Sequence, residues 1–295
     1  MQRDIEFDAE GTLLRGWLYL PERPAGRVPA VVMAHGFTAV KEMYLDRYAE
    51  VFAAAGLGVL VFDHRNFGAS AGEPRGEIDP WAQVRDYRHA LSFARSLPEL
   101  DPERLGIWGT SYSGGHVLVV GALDRRVRCV VSQVPAISGY QASLRRVPAP
   151  QVPGLLAAFV ADREERFRGG PPAMRPVLPR QPGGPAVFAG EDAIDFFRTA
   201  ARRAPSWRDE ITLRSVEMAR EYEPAVYIGR ISPTPLLVVA ASHDNLTGTD
   251  LTLEAYERAL QPKQLLLIPG GHFVPYLEQF AASSGAARDW FLRHL

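Results

Sequence analysis

The chain has 295 residues, 46% of them apolar, enough for one large domain or for a core that carries an insertion. Its 33 basic and 34 acidic residues leave a formal charge of -1, so no strong field gathers nucleic acid or an anionic membrane, and neither partner is expected. A single cysteine, Cys129, excludes an internal disulfide and a thiolate metal cluster, and its apolar setting marks it as a small strand side chain.

Met1 to Glu6 carries charge where a secretion signal needs an apolar core, and no run approaches the length of a membrane span, so a cytoplasmic protein is expected. Residues Ile5 to Phe7 and Leu13 to Leu20 read as a hairpin turning at Gly11, and Pro21, Pro24 and Pro29 mark a loop. The apolar runs Val31 to Ala34 and Val59 to Phe62 have the pattern of strands covered on both faces, with a helix from about Met43 to Ala55 between them.

Asp79-Pro80 supplies an N-cap and a first-turn proline for a helix to about Ser96, its apolar positions including Trp81, Val84, Tyr87, Leu91 and Phe93. Pro98 and an Asp101-Pro102 turn close it. Leu105 to Gly115 then reads as strand, very tight turn and helix, and a buried strand follows from Val127 to Val131. Strands alternating with helices at this spacing imply a mainly parallel sheet.

From Pro135 to about Ile231 the rhythm is lost among prolines, glycines and helix-like pieces, the pattern of an inserted cap. Its aromatic residues Phe159, Phe167, Phe188, Phe196, Phe197 and Trp207 are of the type that lines an acyl pocket, although aromatic residues more often simply pack. Phe159, Phe188, Phe196 and Trp207 are taken as candidate substrate contacts. The alternation resumes with a strand Pro235 to Ala241, a helix from about Asp250 to Leu260, a strand Gln264 to Ile268 and a last helix from about Pro275 to Leu295. The expected organisation is a core of residues 1–134 and 231–295 around an insertion of residues 135–230.

The turn at Gly109-Thr110-Ser111-Tyr112-Ser113-Gly114 carries chemistry. A serine on such a turn is held on a strained backbone with its hydroxyl exposed, and small residues two positions either side let strand and helix approach closely. Ser111 sits where the chain reverses and is the expected nucleophile; Ser113 is its rival, but falls in the first helical turn. A serine hydroxyl needs a base, and the base a carboxylate. Asp244 and His272 each follow a strand, where the carboxyl ends of a parallel sheet gather. Asp250 is the alternative acid, better explained by a helix start, and His243 is carried away from Asp244 by extended backbone. The backbone N–H groups of Phe37 and Tyr112 are the expected oxyanion donors. His35 reads as a brace for the loop that carries Phe37; His64, His89, His116 and His294 show no ligand spacing, and no phosphate-loop or dinucleotide signature occurs, so neither metal nor cofactor is expected.

With those residues in hand, the chain resembles the α/β-hydrolase superfamily over nearly its whole length. The segments His35-Gly36-Phe37, Asp63 to Ser70, Gly109 to Gly114 and Gly270-Gly271-His272 fall in the family's order, Asn66 standing where the family's D-x-R-G-x-G-x-S turn has its first glycine. The elbow is similar to those of dienelactone-hydrolase-like and X-prolyl-peptidase-like esterases, and Phe62 to Gly139 looks closer to fungal polyketide transferases and their bacterial hydrolase relatives. The resemblance implies an α/β-hydrolase fold, a mainly parallel central sheet flanked by helices with a mostly helical cap. Its activity would be that of a serine esterase acting on a small-molecule acyl ester or thioester through an acyl-serine. The alternatives are an acyltransferase passing a polyketide-like acyl group from a thioester to an alcohol or amine, and a non-catalytic binding protein.

Overall fold

The computed structural model describes residues 1–22 and 26–295; Pro24, one proline of the expected loop, lies outside them. The chain opens with an antiparallel hairpin, β1 (Gln2–Ala9) and β2 (Thr12–Tyr19), in which Ala9 faces Thr12. The two turn residues both take positive φ, Glu10 at 56° and Gly11 at 80°, as a two-residue hairpin loop that matches the strand twist requires.

Strands β3 (Val28–Ala34), β4 (Gly58–Phe62), β5 (Leu100–Thr110) and β6 (Val127–Gln133) follow, then the short β7 (Met174–Pro176) and β8 (Glu210–Thr212), and finally β9 (Leu236–Ala241) and β10 (Lys263–Ile268). Eight of them form one sheet in the order β1-β2-β4-β3-β5-β6-β9-β10, parallel from β4 onward, and β7 pairs with β8 apart from it. β4 and β9 are buried at every position, which explains their unbroken apolar runs. The helices are α1 (Leu45–Ala54), α2 (Pro80–Ser96), α3 (Tyr112–Leu123), α4 (Gly139–Arg146), α5 (Val152–Phe167), α6 (Glu191–Ala201), α7 (Leu213–Glu221), α8 (Thr249–Arg258) and α9 (Phe280–His294).

α2 begins where the sequence places it: the Asp79 carboxylate accepts the N–H groups of Trp81 at 3.0 Å and Ala82 at 3.1 Å, a cap worth about 1 kcal/mol. Trp81 departs from expectation. It is 43% exposed and turns its ring edge-on to Tyr222 and Tyr227 rather than into the core. α3, buried along nearly its whole length, has no polar face and packs on β5 and β6.

Two boundaries differ from the sequence reading. β5 starts at Leu100, so the Asp101-Pro102 segment lies within the strand, and its register with β3 shifts across that segment, where Pro102 has no N–H to contribute. The last helix is two pieces, a 3₁₀ turn at Val274–Tyr276 and then α9, separated where Leu277 leaves helical geometry at φ -119°, ψ -106°. Asn66, in place of the expected glycine, sits at φ 70°, a conformation asparagine tolerates, and its side chain donates to the Glu77 carbonyl at 2.9 Å. Helices α4 to α7 and the β7–β8 ribbon fill the stretch between β6 and β9.

Candidate active site

Ser111 joins β5 to α3 with φ 56° and ψ -116°, strained for any residue with a side chain. Close approach of strand and helix enforces the turn: a Cβ on Gly109 would stand 2.1 Å from the Ser113 carbonyl oxygen. The Ser111 N–H donates to the Gln133 carbonyl, and its own carbonyl accepts from Ala136, so β6 and the segment after it hold the turn from the side.

His272 and Asp244 converge on this point. Ser111 Oγ lies 3.0 Å from His272 Nε2, and His272 Nδ1 lies 2.7 Å from Asp244 Oδ2. Asp244 is fixed further by the N–H groups of Leu246 and Thr247, both at 2.9 Å, and by the Thr247 hydroxyl at 2.8 Å. Burial alone would raise the pKa of Asp244, but His272 and the Thr247 donors outweigh it and bring it to about 2, so the carboxylate stays ionised. The His272 loop is tied back to the elbow by the Tyr276 hydroxyl, which meets Thr110 Oγ1 beside Ser111. Asp250 is instead engaged with Arg145 at 2.6 and 2.7 Å in the first turn of α8, and His243 bonds its neighbour Ser242.

The loop after β3 crosses directly over the serine. A Cβ on Gly36 would stand 2.9 Å from Ser111 Cβ and 3.3 Å from its Oγ, so only glycine fits there. Among the described residues, neither the Phe37 nor the Tyr112 N–H has an acceptor, which leaves two backbone donors free beside the hydroxyl. Their rings meet edge to face at 4.9 Å.

A buried histidine network lies beneath this loop. His35 donates from Nδ1 to the Gly36 carbonyl at 3.0 Å and accepts the His64 N–H on Nε2 at 3.1 Å. Ser113 donates to the His35 carbonyl at 2.5 Å, so its oxygen accepts from His64 Nε2 at 2.8 Å. His116 bridges Gln83 and the Tyr222 hydroxyl. Burial lowers the pKa of all three histidines, that of His116 to about 3, and each is neutral at physiological pH. Ser113, expected only to be small, therefore braces the loop that carries Phe37.

Three cavities meet above Ser111 and share Phe37, Phe188 and Leu246 in their walls. One is lined by Ser111, His272, Met43, Leu45, Phe196 and Phe197; a second by Ser111, Tyr112, Ile137 and Arg146; the third, of about 370 Å³, includes Phe159 and Arg146. Phe159, Phe188 and Phe196 line this space. Trp207 does not: it is absent from all three walls, stacks on Phe197, and donates its indole N–H to the Thr38 carbonyl at 2.9 Å. Its position is set by that backbone acceptor, which sequence does not reveal. Among the described residues no group of three metal-ligating side chains occurs, and no helix is long and apolar enough to cross a membrane.

The profile of the family described as X-Pro dipeptidyl-peptidase (S15 family) matches residues 10–274. The thiohydrolase aneE of Aspergillus aculeatus is 34% identical over 89% of this chain and 83% of its own. The polyketide transferase claH of Penicillium crustosum is 30% identical over 91% of this chain and 89% of its own. Among solved structures, the α/β hydrolase GrgF from Penicillium sp. sh18 superposes with a TM-score of 0.85 at 26% identity, covering 100% of this chain and 99% of that one.

Proposed function

The chain belongs to the X-Pro dipeptidyl-peptidase (S15) family and has the α/β-hydrolase fold, and from that premise we propose that it cleaves carboxylic esters or thioesters through an acyl-Ser111 intermediate. The observation that carries this reading is the unbroken relay from Asp244 through His272 to a serine on a strained turn. His272 Nε2 removes the Ser111 proton as Oγ attacks the carbonyl carbon, while the Asp244 carboxylate holds Nδ1–H and stabilises the imidazolium. The new oxyanion lies against the Phe37 and Tyr112 N–H groups, where each such donor is worth roughly two to three decades of turnover. Collapse expels the alcohol or thiol, which takes the proton from His272, and water repeats the sequence to release the acid. The segment between β6 and β9 serves as a cap over the three cavities and sets which acyl groups fit.

The similarity to a polyketide transferase favours a second reading, in which an alcohol or amine replaces water. Ser111→Ala should lose on the order of four decades of turnover while remaining folded. Free acid as sole product at every concentration of added alcohol supports hydrolysis; a growing share of new ester supports transfer. Retained activity in Ser111→Ala together with a dead Ser113→Ala would overturn the assignment.

A further inference from the structure

The walls above Ser111 differ sharply in charge. Among the described residues the chamber formed by Met43, Leu45, Phe196 and Phe197 has no lysine or arginine in its wall, whereas Arg146 stands in the wall of the cavity that touches Ser111 and of the larger one beyond it. Arg175 on β7 and Arg220 on α7 join Arg146 in that larger wall, so three cap elements each contribute a guanidinium to one space.

Among the described residues none of the three forms a salt bridge. Arg146 donates only to the Ala142 carbonyl of its own helix at 3.3 Å, and Arg220 donates to Ser143 Oγ at 2.6 Å and lies over the Tyr140 ring. No side-chain partner occurs for Arg175. The remaining polar wall residues are Ser143, Asn245 and Asp192, the last with one carboxylate oxygen accepting the Ala193 N–H. Elsewhere on this chain arginines are mostly paired, as Arg65 with Asp86 and Arg145 with Asp250. Arg146 keeps exposed surface while the protein packed around it lowers its pKa. A guanidinium stays charged there, with its donors available to an entering anion.

Building on the acyl-Ser111 reading, we propose that the substrate carries an anionic group, a carboxylate or a phosphate, recognised by Arg146, Arg175 and Arg220 in the cap. Arginine suits such oxygens because its fork donates two parallel hydrogen bonds to them. The apolar chamber then takes the uncharged arm of the substrate, and the anionic arm runs past Arg146 into the larger cavity.

Paired substrates test this and locate the charge. Phenyl hydrogen suberate against phenyl methyl suberate places the anion on the acyl arm; octanoyl-phosphopantetheine against octanoyl-pantetheine places it on the leaving group. In one pair kcat/KM should favour the anion by roughly tenfold or more. That ratio should fall toward one in Arg146→Gln and in Arg175→Gln, and should invert in Arg146→Glu. Ratios at or below one in both pairs for the wild type would overturn the proposal. Calorimetry on Ser111→Ala, with suberic acid monoanilide and its methyl ester and with S-octyl-phosphopantetheine and S-octylpantetheine, reads the same preferences without turnover. Anion preference in binding with no cleavage of any substrate would count against the acyl-Ser111 reading alone, whereas cleavage without preference counts against the anion site alone.

Discussion

Ser111 and Arg146 line the same cavity, yet they are held in opposite ways. Around Ser111 the groups of the relay are closely matched, even though the Tyr112 hydroxyl and His64 Nδ1 are buried without a partner among the described residues: Asp244 accepts from four donors, His272 bridges two partners, and Ser113 bonds His64. Arg146, on α4 in the proposed cap, reaches only its own helix. The first arrangement fixes geometry to fractions of an ångström, as bond-making requires; the second leaves a charge available to whatever enters. Substitutions in the core should therefore change turnover for every substrate, and substitutions in the cap should change the ranking of substrates.

The largest effect is expected at Asp244. Asp244→Asn keeps the side chain's shape but replaces the acceptor with an amide that leaves His272 in the wrong tautomer, so kcat should fall on the order of four decades for all substrates alike. A fall confined to some substrates would break the division between core and cap. Next is Ser113→Ala, which strands the His35 carbonyl and the His64 Nε2–H in a buried site. Each costs about 1–3 kcal/mol of stability, and loosening of the Phe37 donor should lower kcat about tenfold or more with little change in KM. An unchanged kcat in a destabilised variant would make Ser113 purely structural.

The proposed nucleophile, base and acid were legible because each sits just past a strand in an order that local residues announce. Ser113's partners lie 78 and 49 positions away in sequence, so nothing nearby distinguished a bracing hydroxyl from a small filler. The same holds for the arginines, which come from α4, β7 and α7 and meet only through packing of the cap. The mainly parallel sheet was readable from its doubly buried strands; the break at Leu277 was not, because a proline such as Pro275 signals where a helix starts and not that its first turn stops two residues later. Trp207 stands outside the three cavity walls, since an aromatic ring announces burial but not which side it faces.

A smaller, stability-level effect concerns pH. The folded chain holds His35, His64 and His116 with pKa values below the ordinary 6.5, so it binds fewer protons than the unfolded chain. Stability from these residues is complete above about pH 6.5 and is lost as pH falls toward the folded values, about 3 for His116. The urea midpoint should decline from about pH 6.5 toward pH 4, less steeply in His116→Gln; a flat midpoint would contradict the neutral network. The smallest effect is expected at Phe159→Ala, which enlarges the cavity that Phe159 lines and should shift the preferred acyl length by a few-fold. A uniform change across lengths would place Phe159 with the core rather than the cap.

The most direct measurement is the site of covalent labelling by a fluorophosphonate, read by mass spectrometry of the peptide that spans Gly109 to Gly115. The account predicts modification of Ser111 alone, slowed by orders of magnitude in His272→Ala. Label on Ser113, or an unlabelled peptide in folded protein, would contradict it.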